Sequence, residues 1–304
     1  SGQAVTDGIL VDLSLHWKRI RVENEGRQVA TEPGVIASHV NSFLAPFRVK
    51  IGPDPASINA CMMGGVAANN ASGMCCGVQF NSYNTMRSLK LVLADGFTLD
   101  TSHPNADDRL RDERPEVYEG LVAIRDAIRR DQTLAERISR KFAIKNTCGY
   151  SMNAFVDYDR PVDILSHLLI GSEGTLGFIS EITLDTLPNK PVRSTALVYF
   201  QELEDAGRAV APLEQAGAAV LEIMDRASML SVVDEMHYPF VIGPYDPTAE
   251  PILRRDGELD TIHSNCAALL IEFQEETEEA LAQRLSAADS ILNQFPLLIP
   301  VEFT

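Results

Sequence analysis

Short apolar runs separated by turn residues dominate the first fifty positions of the chain. The run Ile9–Leu13 (ILVDL) predicts a short buried strand. Residues 18–22 and 28–30 flank Asn24-Glu25-Gly26, a turn sequence, and together they predict a β-hairpin. Apolar residues then recur at helical spacing between positions 34 and 45, which predicts the first helix.

The middle of the chain combines an aperiodic stretch with clear helices and strands. Residues 51–83 are rich in Gly, Asn and Ser and predict mainly loop, whereas residues 89–99, with Asp95-Gly96 at the turn, predict a second hairpin. Two helices are expected within the polar segment 101–142, where one apolar stripe is formed by Val117, Leu121, Ile124 and Ile128. A helix over 161–170 and a strand over 178–184 follow.

The pattern changes at Pro188–Pro191, where two prolines and a lysine indicate a domain boundary. Beyond it, predicted strands at 195–200, 219–223 and 267–273 alternate with predicted helices at 203–216 and 275–293, as in an α/β layer with helices on one face. We therefore expect two domains, 1–190 and 191–304. The chain starts without Met and ends within an apolar run, so we expect it to be a fragment that lacks pieces at both ends.

Composition narrows the classes of function. The 304 residues are 45% hydrophobic, which is enough for packed cores, and the formal net charge is −17. Such an acidic surface repels nucleic acid and anionic lipid, although a local Arg or Lys can still hold an anionic substrate. A negative net charge that only keeps the protein soluble would explain the same composition. No run reaches the about 18 apolar residues of a membrane span, so no span is expected in this chain.

The five cysteines and six histidines show no metal-site spacing. The cysteine count is odd and no C-x-x-C pair occurs, so zinc and iron–sulfur signatures are absent. Reduced thiols in a cytoplasmic protein are the simplest interpretation, and a peripheral membrane association of the full-length protein stays open. We expect no metal site and nominate no histidine as catalytic. Arg226 is interpreted as a packing or salt-bridge residue.

Two glycine-rich stretches are candidates for ligand binding. Residues 52–73 contain Gly and Asn positions that let a ligand approach the backbone, but a tight turn into a small-residue helix at 64–71 explains the same pattern. Residues 171–179 (GSEGTLGFI) could present backbone amides to a cofactor or simply connect a helix to a strand. Neither stretch is a G-x-G-x-x-G or P-loop fingerprint, so a Rossmann or P-loop nucleotide site is not expected.

Taken in order, six blocks resemble the FAD-binding domain of the vanillyl-alcohol-oxidase/para-cresol-methylhydroxylase (PCMH) superfamily, in particular its D-lactate, glycolate and D-2-hydroxyglutarate dehydrogenase branch. The blocks are Glu32–Val35, Pro53–Ser57, Gly64–Gly73, Leu93–Gly96, Lys145–Tyr150 and Gly171–Phe178. The resemblance is close over residues 1 to about 190 and rests on pattern alone beyond them. It implies an α+β fold in which a partial PCMH-type FAD-binding domain is followed by part of an α/β, ferredoxin-like cap domain.

The resemblance also implies which residues would bind FAD. The flavin site would be lined by Pro53, Asp54 and Ser57; the pyrophosphate and ribityl region would contact Gly64, Gly65, Asn70, Ser72 and Gly73; the opposite side would be formed by Glu173, Gly177 and Ile179. Ser1 and Gly2 look like the tail of the family's pyrophosphate loop, since Gln3-Ala4 continues its pattern, although a cloning scar would also begin with Ser-Gly.

The implied activity is oxidation of a small 2-hydroxy acid by hydride transfer to FAD, with electrons passing on to an acceptor. The family's H-G-x-G-N-x-H type motif is absent, so the catalytic base and the substrate-binding Arg are expected outside this chain, and the fragment is expected to bind FAD weakly or not at all. The helical insertion at about 101–142 is similar to long bacterial proteins with a C-terminal iron–sulfur region. A 4Fe-4S cluster would therefore belong only to a part beyond this chain, and the insertion itself could be a docking surface or a solvated helical pair.

Three interpretations remain at this stage. The chain belongs to an FAD-dependent D-2-hydroxy-acid dehydrogenase, to a cofactor-free docking or structural module of a larger assembly, or to a flavin domain that serves another reaction. The ordered blocks and the strand–helix pattern after Pro188 favour the first over the third. The presence of bound flavin would distinguish the dehydrogenase interpretation from the cofactor-free module.

Overall fold

The computed structural model describes residues 11–75, 77–234, 238–248 and 261–304. The chain divides into two units, Ser1–Asn189 and Lys190–Thr304, and each unit combines helices with an antiparallel sheet. This confirms the expected α+β class. Within the described ranges, no helix has both the length and the apolar character needed to cross a bilayer.

The first unit is built around one antiparallel sheet. Its strands are β1 (Ile20–Glu23), β2 (Gln28–Thr31), β3 (Val49–Ile51), β4 (Met86–Val92), β5 (Thr98–Asp100) and β6 (Phe178–Pro188). Its helices are α1 (Ala37–Leu44), α2 (Met63–Ala68), α3 (Ser82–Thr85), α4 (Ala106–Glu113), α5 (Pro115–Arg130), α6 (Gln132–Phe142), α7 (Ala154–Asp157) and α8 (Pro161–Leu169). The strand order is β1-β2-β6-β4-β5, and β3 pairs with the last residues of β6. The central strand is therefore β6.

Both predicted hairpins form, but the predicted strand at Ile9–Leu13 is wrong over its described residues. Residues 11–13 belong to no strand and Val11 is 70% exposed; residues 9 and 10 lie outside the described ranges. The backbone here crosses Gly34 instead of joining the sheet. A Cβ on Gly34 would lie 2.4 Å from the Leu13 carbonyl oxygen, and the Gly34 amide donates to the Trp17 carbonyl.

A register shift between β4 and β6 decides which side chains of β6 enter the core. Ile182 pairs with Leu89 and Ile179 with Leu91, and all four side chains are buried. Residues three apart in a regular strand would point to opposite faces, so the bulge is what brings both isoleucines to the apolar face. Glu181 lies between them and faces the polar side of the sheet.

The segment 101–142 forms three helices, α4 to α6, where the sequence predicted two. They are not merely solvated, because Leu110, Leu121, Ile128 and Ile138 are buried in the same core as the sheet. The predicted apolar stripe is only partly internal. Leu121 and Ile128 are buried, whereas Ile124 is 46% exposed.

The second unit contains β7 (Val192–Phe200), α9 (Leu203–Gln215), β8 (Val220–Met224), α10 (Arg226–Ser231), β9 (Val241–Ile242), β10 (Thr261–Ile262), β11 (Ala267–Glu275) and α11 (Glu278–Leu292). Its sheet has the order β7-β11-β8. The C-terminal residues run along the free edge of β7, where Leu297 pairs with Phe200 and Thr304 exchanges two backbone hydrogen bonds with Thr195. This fourth, irregular strand completes a ferredoxin-like order.

One ionic cluster joins three strands on the polar face of the first sheet. Glu181 accepts hydrogen bonds from Arg21 Nη1 and Nη2 at 2.8 and 3.0 Å, and Lys90 Nζ lies 3.0 Å from its Oε1. The Glu181 side chain is only 11% exposed. The hydrogen bonds from Arg21, together with Lys90, lower the pKa of Glu181 to about 2. The carboxylate therefore stabilises the folded state above the ordinary carboxyl pKa.

We expect Glu181→Gln to lower the free energy of unfolding at pH 7 by about 2 kcal/mol, because hydrogen bonds to a charged group are lost. The pKa of Glu181 is depressed in the folded state, so this difference should shrink as the pH falls from the ordinary glutamate pKa of 4.5 towards about 2. Urea unfolding followed by the fluorescence of Trp17, the only tryptophan, measures it. The control is Glu23→Gln, whose carboxylate is 38% exposed and lies 3.4 Å from Arg21 Nε. Equal effects of the two changes would contradict the expectation.

Candidate functional site

Two segments about a hundred residues apart are joined by hydrogen bonds at the end of α2. The amides of Gly171 and Glu173 donate to the carbonyls of Ala67 and Ala68 at 3.1 and 2.9 Å. Asn69 Nδ2 donates to Glu173 Oε1 at 2.6 Å. We call this set of three hydrogen bonds the α2 clasp. It holds both glycine-rich stretches of the sequence side by side.

The backbone of the loop 171–174 requires unusual conformations. Gly171 and Gly174 have φ values of 85° and 76°, and Glu173 has a φ of 52° although it carries a side chain. Left-handed backbone at a non-glycine residue costs about 1 kcal/mol or more, and it persists only where surrounding contacts hold it. The clasp supplies those contacts for Glu173.

A groove with a volume of about 550 Å³ lies beside the clasp. Five of the predicted cofactor residues line it: Gly64, Gly65, Glu173, Gly177 and Ile179. The remaining lining residues are Val11, Leu13, Pro33, Ala60, Cys61, Met62, Ala68, Ser172, Gly174 and Phe178. The structure therefore brings together residues from both motifs that the sequence singled out separately.

The lining of the groove suits a flat, largely apolar group. Met62, Leu13 and Phe178 present apolar side chains, and a Cβ added at Gly174 would meet nothing within 4 Å. Open space beside a glycine backbone allows a ring to approach closely. Gly64 has a different role, because a Cβ there would lie 2.6 Å from Pro33 Cβ, so its missing side chain lets α2 pack against the preceding turn.

Several lining residues were missed by the sequence argument. Met62 lies within the stretch 52–73 and Phe178 within the stretch 171–179, and that position in the sequence was a usable signal. Phe178 also contacts Trp17 edge to face, with ring centroids 5.1 Å apart. Val11 and Leu13 gave no such signal, since their apolar run resembles a buried strand.

The other predicted site residues shape the loop around the groove instead of lining it. Asp54 and Gly73 form a β-bridge, and the Asp54 amide donates to the Ser72 carbonyl at 3.0 Å. Pro53 and Ser57 flank this bridge, and the Ser57 carbonyl closes the turn that leads to Cys61. Asn70, at a φ of 51°, accepts a hydrogen bond from the Tyr83 amide at 2.9 Å. Ser1 and Gly2 lie outside the described residues.

Charge is sparse in the groove. Among the described residues that line it, Glu173 is the only charged one. The described residues also include no cluster of three or more His, Cys, Asp or Glu that could hold a metal. The groove can therefore bind through backbone groups, apolar contact and one carboxylate.

A second cavity, of about 630 Å³, lies on the polar face of the sheet. It is larger than the groove, but charged groups that line it, such as Arg21 and Glu181, already pair with each other. His167 also lines it; its ring stacks on Tyr158 at 3.9 Å, and burial lowers its pKa to about 4. His167 is therefore a neutral, packed side chain of the fold.

We expect Gly73→Ala to destabilise the first unit more than Gly96→Ala. Both glycines have positive φ, 67° and 84°, so both changes strain the backbone. A Cβ on Gly73 would lie 1.9 Å from the Asp54 carbonyl oxygen, whereas a Cβ on Gly96 would meet nothing within 4 Å. The clash should add about 1–3 kcal/mol to the loss of unfolding free energy. Urea unfolding followed by Trp17 fluorescence compares the two variants. Equal losses of unfolding free energy would contradict the expectation, because they would show that the Asp54–Gly73 bridge accommodates the added methyl group without cost.

Solved structures with a similar fold include alkyldihydroxyacetonephosphate synthase. One such structure aligns with a TM-score of 0.53 and 15% sequence identity over 93% of this chain and 41% of that chain. A second gives a TM-score of 0.53 with 14% identity over 91% of this chain and 42% of that chain. At this level of identity the likeness shows the fold alone.

Curated relatives have higher identity. A D-2-hydroxyglutarate dehydrogenase of Pantoea ananatis (strain AJ13355) is 31% identical over 229 residues, which are 74% of this chain and 22% of that protein. The glycolate oxidase subunit GlcD of Escherichia coli (strain K12) is 25% identical over 261 residues, 85% of this chain and 41% of that subunit. The chain thus spans only 22% to 41% of the length of these relatives.

Two family models match the chain. An FAD binding domain matches residues 1–102, which include α2 and its wall of the groove. The FAD linked oxidases, C-terminal domain, matches residues 189–298 in the second unit. The two matches occur in the order that the resemblance implied, an FAD-binding domain followed by a second domain, and the curated relatives agree with them. The chain belongs to the FAD-linked oxidase superfamily.

Proposed function

We propose that the protein containing this chain is an FAD-dependent dehydrogenase that oxidises a small D-2-hydroxy acid, D-2-hydroxyglutarate or D-lactate, to the 2-oxo acid. The observation that carries the proposal is the groove, which is built from two motifs of the resemblance and lies partly within the segment that matches an FAD binding domain. The relatives named as hydroxy-acid dehydrogenases and oxidases support the substrate class. Residues 1–190 would form the FAD-binding domain and 191–304 part of the cap.

Bound FAD would supply the oxidising chemistry by accepting a hydride from the substrate carbon at flavin N5. The described residues contribute the binding side of this task. Apolar side chains such as Met62 and Phe178 would exclude water from the bound cofactor, and the α2 clasp would hold together the two backbone segments that form the groove. Gly174 and Gly177 would permit close approach of the cofactor.

The described lining of the groove holds no Arg, Lys or His. A substrate carboxylate needs a cation, and removal of the hydroxyl proton needs a base. We therefore assign the groove to the cofactor and not to the substrate. The electron acceptor and any 4Fe-4S centre stay predictions from the resemblance. The four described cysteines, Cys61, Cys75, Cys148 and Cys266, are unbridged, which supports the proposal of a cytoplasmic protein.

The direct test is the visible spectrum of the full-length protein during anaerobic additions. D-2-Hydroxyglutarate, D-lactate and glycolate are added in turn, with the L-enantiomers of the first two as matched controls. We expect one D-acid to bleach the absorbance of bound flavin and its L-enantiomer to leave it unchanged. Bleaching proves electron transfer to the flavin and identifies the substrate.

Two other results would select the remaining alternatives. A flavin spectrum that none of the acids bleaches would assign the protein to a different flavoenzyme reaction. A correctly folded full-length protein without flavin, which also fails to take up added FAD, would favour a cofactor-free docking or structural module.

A further inference from the structure

Arg226, in the second unit, is a buried cation without a counterion. The residue is only 8% exposed, and it forms no salt bridge with any carboxylate of the described residues. Its guanidinium donates instead to the carbonyls of Ser264 and Gly243 and to the Cys266 thiol. A buried charge usually has an opposite charge beside it, because removing it from water is costly. The burial of Arg226 therefore calls for an anion.

Two donors of this guanidinium remain unused. Nη1 serves Ser264 and Cys266, and one Nη2–H serves Gly243, which leaves Nε–H and the second Nη2–H. Nε is also accessible, because the described side-chain atoms that are both sealed in and unpartnered are Asn153 Oδ1 and His167 Nε2. A planar guanidinium presents donors in pairs that match the two oxygens of a carboxylate.

A cavity with a volume of about 400 Å³ lies beside this residue. Its described lining consists of Arg226, Leu203, Asp225, Ala227, Tyr245 and Asn265. The side chains of Tyr245 and Asn265 have no hydrogen-bond partner in the described ranges, so a phenol and a carboxamide are available next to the guanidinium. Leu203 and Ala227 add apolar contact for a short carbon chain. Unused polar groups that converge on one cavity indicate a ligand site.

The charge of the cavity suits a ligand with one negative group there. Arg226 is the single cation among the described lining residues. Asp225 lies in the same wall, but it is exposed, accepts from the Ser228 amide at 2.7 Å and makes no salt bridge with Arg226. It therefore does not serve as the missing counterion. One buried cation balances one carboxylate, whereas a phosphate dianion would stay half uncompensated.

We propose that this cavity binds one carboxylate of a small 2-hydroxy acid or of the corresponding 2-oxo acid. Arg226 would hold the carboxylate, and Asn265 and Tyr245 would bond the neighbouring hydroxyl or keto oxygen. The choice of acid rests on the proposed function, whereas the carboxylate site rests on the cavity alone. The bound acid is either the reacting one or an effector, and the test separates the two. The family resemblance led us to expect the substrate-binding Arg outside this chain, and Arg226 is a candidate within it.

The test measures binding of labelled D-lactate and D-2-hydroxyglutarate, each in turn, to the full-length protein by equilibrium dialysis. Asn265→Asp places a second carboxylate beside the bound one and should raise the dissociation constant at least about tenfold. Tyr245→Phe removes only a hydroxyl and should raise it by a smaller factor. Arg226→Lys keeps the charge but loses the paired donors, so it should also weaken binding. Inorganic phosphate at the same concentration should not displace the acid.

A matched control for the charge change lies in the same unit. Asn293 is an exposed asparagine at the end of α11 and does not line the cavity. Asn293→Asp makes the same chemical change as Asn265→Asp and should leave the dissociation constant unchanged. Arg226 also supports the fold, so the decisive variants are those of Asn265 and Tyr245, whose side chains bond to no other described residue. Urea unfolding checks that each variant keeps the stability of the unaltered protein.

The Michaelis constant identifies the role of the bound acid. A KM that rises in Asn265→Asp together with the dissociation constant, at unchanged kcat, assigns the cavity to the reacting acid. An unchanged KM with the loss of one class of bound acid assigns it to an effector. Both results support the carboxylate site.

Three results would overturn it. They are an unchanged dissociation constant in Asn265→Asp, displacement of the acid by phosphate, and a folded full-length protein that binds neither acid. Failure of the proposed function looks different. Binding that weakens in Asn265→Asp, without bleaching of bound flavin by either acid, would sink the dehydrogenase proposal and leave the carboxylate site intact.

Discussion

The α2 clasp is the constraint on which the groove depends. Three hydrogen bonds connect the C-terminal end of a six-residue helix to a loop that lies about a hundred residues later in the chain. Neither segment forms a binding surface by itself, because α2 is short and the loop 171–174 has no regular structure. The pairing gives the Ala68 carbonyl at the end of α2 its partner and adds a second donor to the Ala67 carbonyl, which also accepts from the Asn70 amide. The same bonds position Glu173.

The central strand β6 extends this constraint into the rest of the first unit. It begins directly after Gly177, so the groove loop is attached to the strand that pairs with β2, β3 and β4. The bulge in β6 lets Ile179 reach both the core and the groove while Glu181 remains on the polar face. A shift of the strand register would therefore disturb the core, the ionic cluster and the groove together.

Sequence patterns predicted regular elements well where the pattern reports local contacts. The helix expected at 161–170 is α8, Pro161–Leu169, and the hairpin around Asp95-Gly96 forms as β4 and β5. The failures involve contacts with distant residues. Residues 11–13 have the composition of a strand but find no partner strand, and Ile124 matches the helical stripe but lies at its solvent edge. Periodicity describes which face is apolar, and it does not describe what lies opposite.

The same distinction applies to the site. Five motif residues meet at the groove, which no local pattern could show, while Asp54 and Gly73 serve the loop that supports it. A sequence motif shows that glycine is required at a position, but it does not show why. A glycine in a β-bridge and a glycine beside a ligand give the same signal. Gly73 is required because a Cβ would collide with the Asp54 carbonyl, whereas Gly174 borders open space. Only the structure separates these two reasons.

The chain carries 43 acidic and 26 basic side chains, whereas the proposed hydroxy-acid substrate would need a cation beside the cofactor. In the second unit the buried Arg226 donates to the carbonyls of Ser264 and Gly243 and to the Cys266 thiol, so part of its guanidinium is already committed to the fold. The described groove adds only a carboxylate. Under the proposed function, the cation that a hydroxy acid needs would therefore come from outside the described lining of the groove.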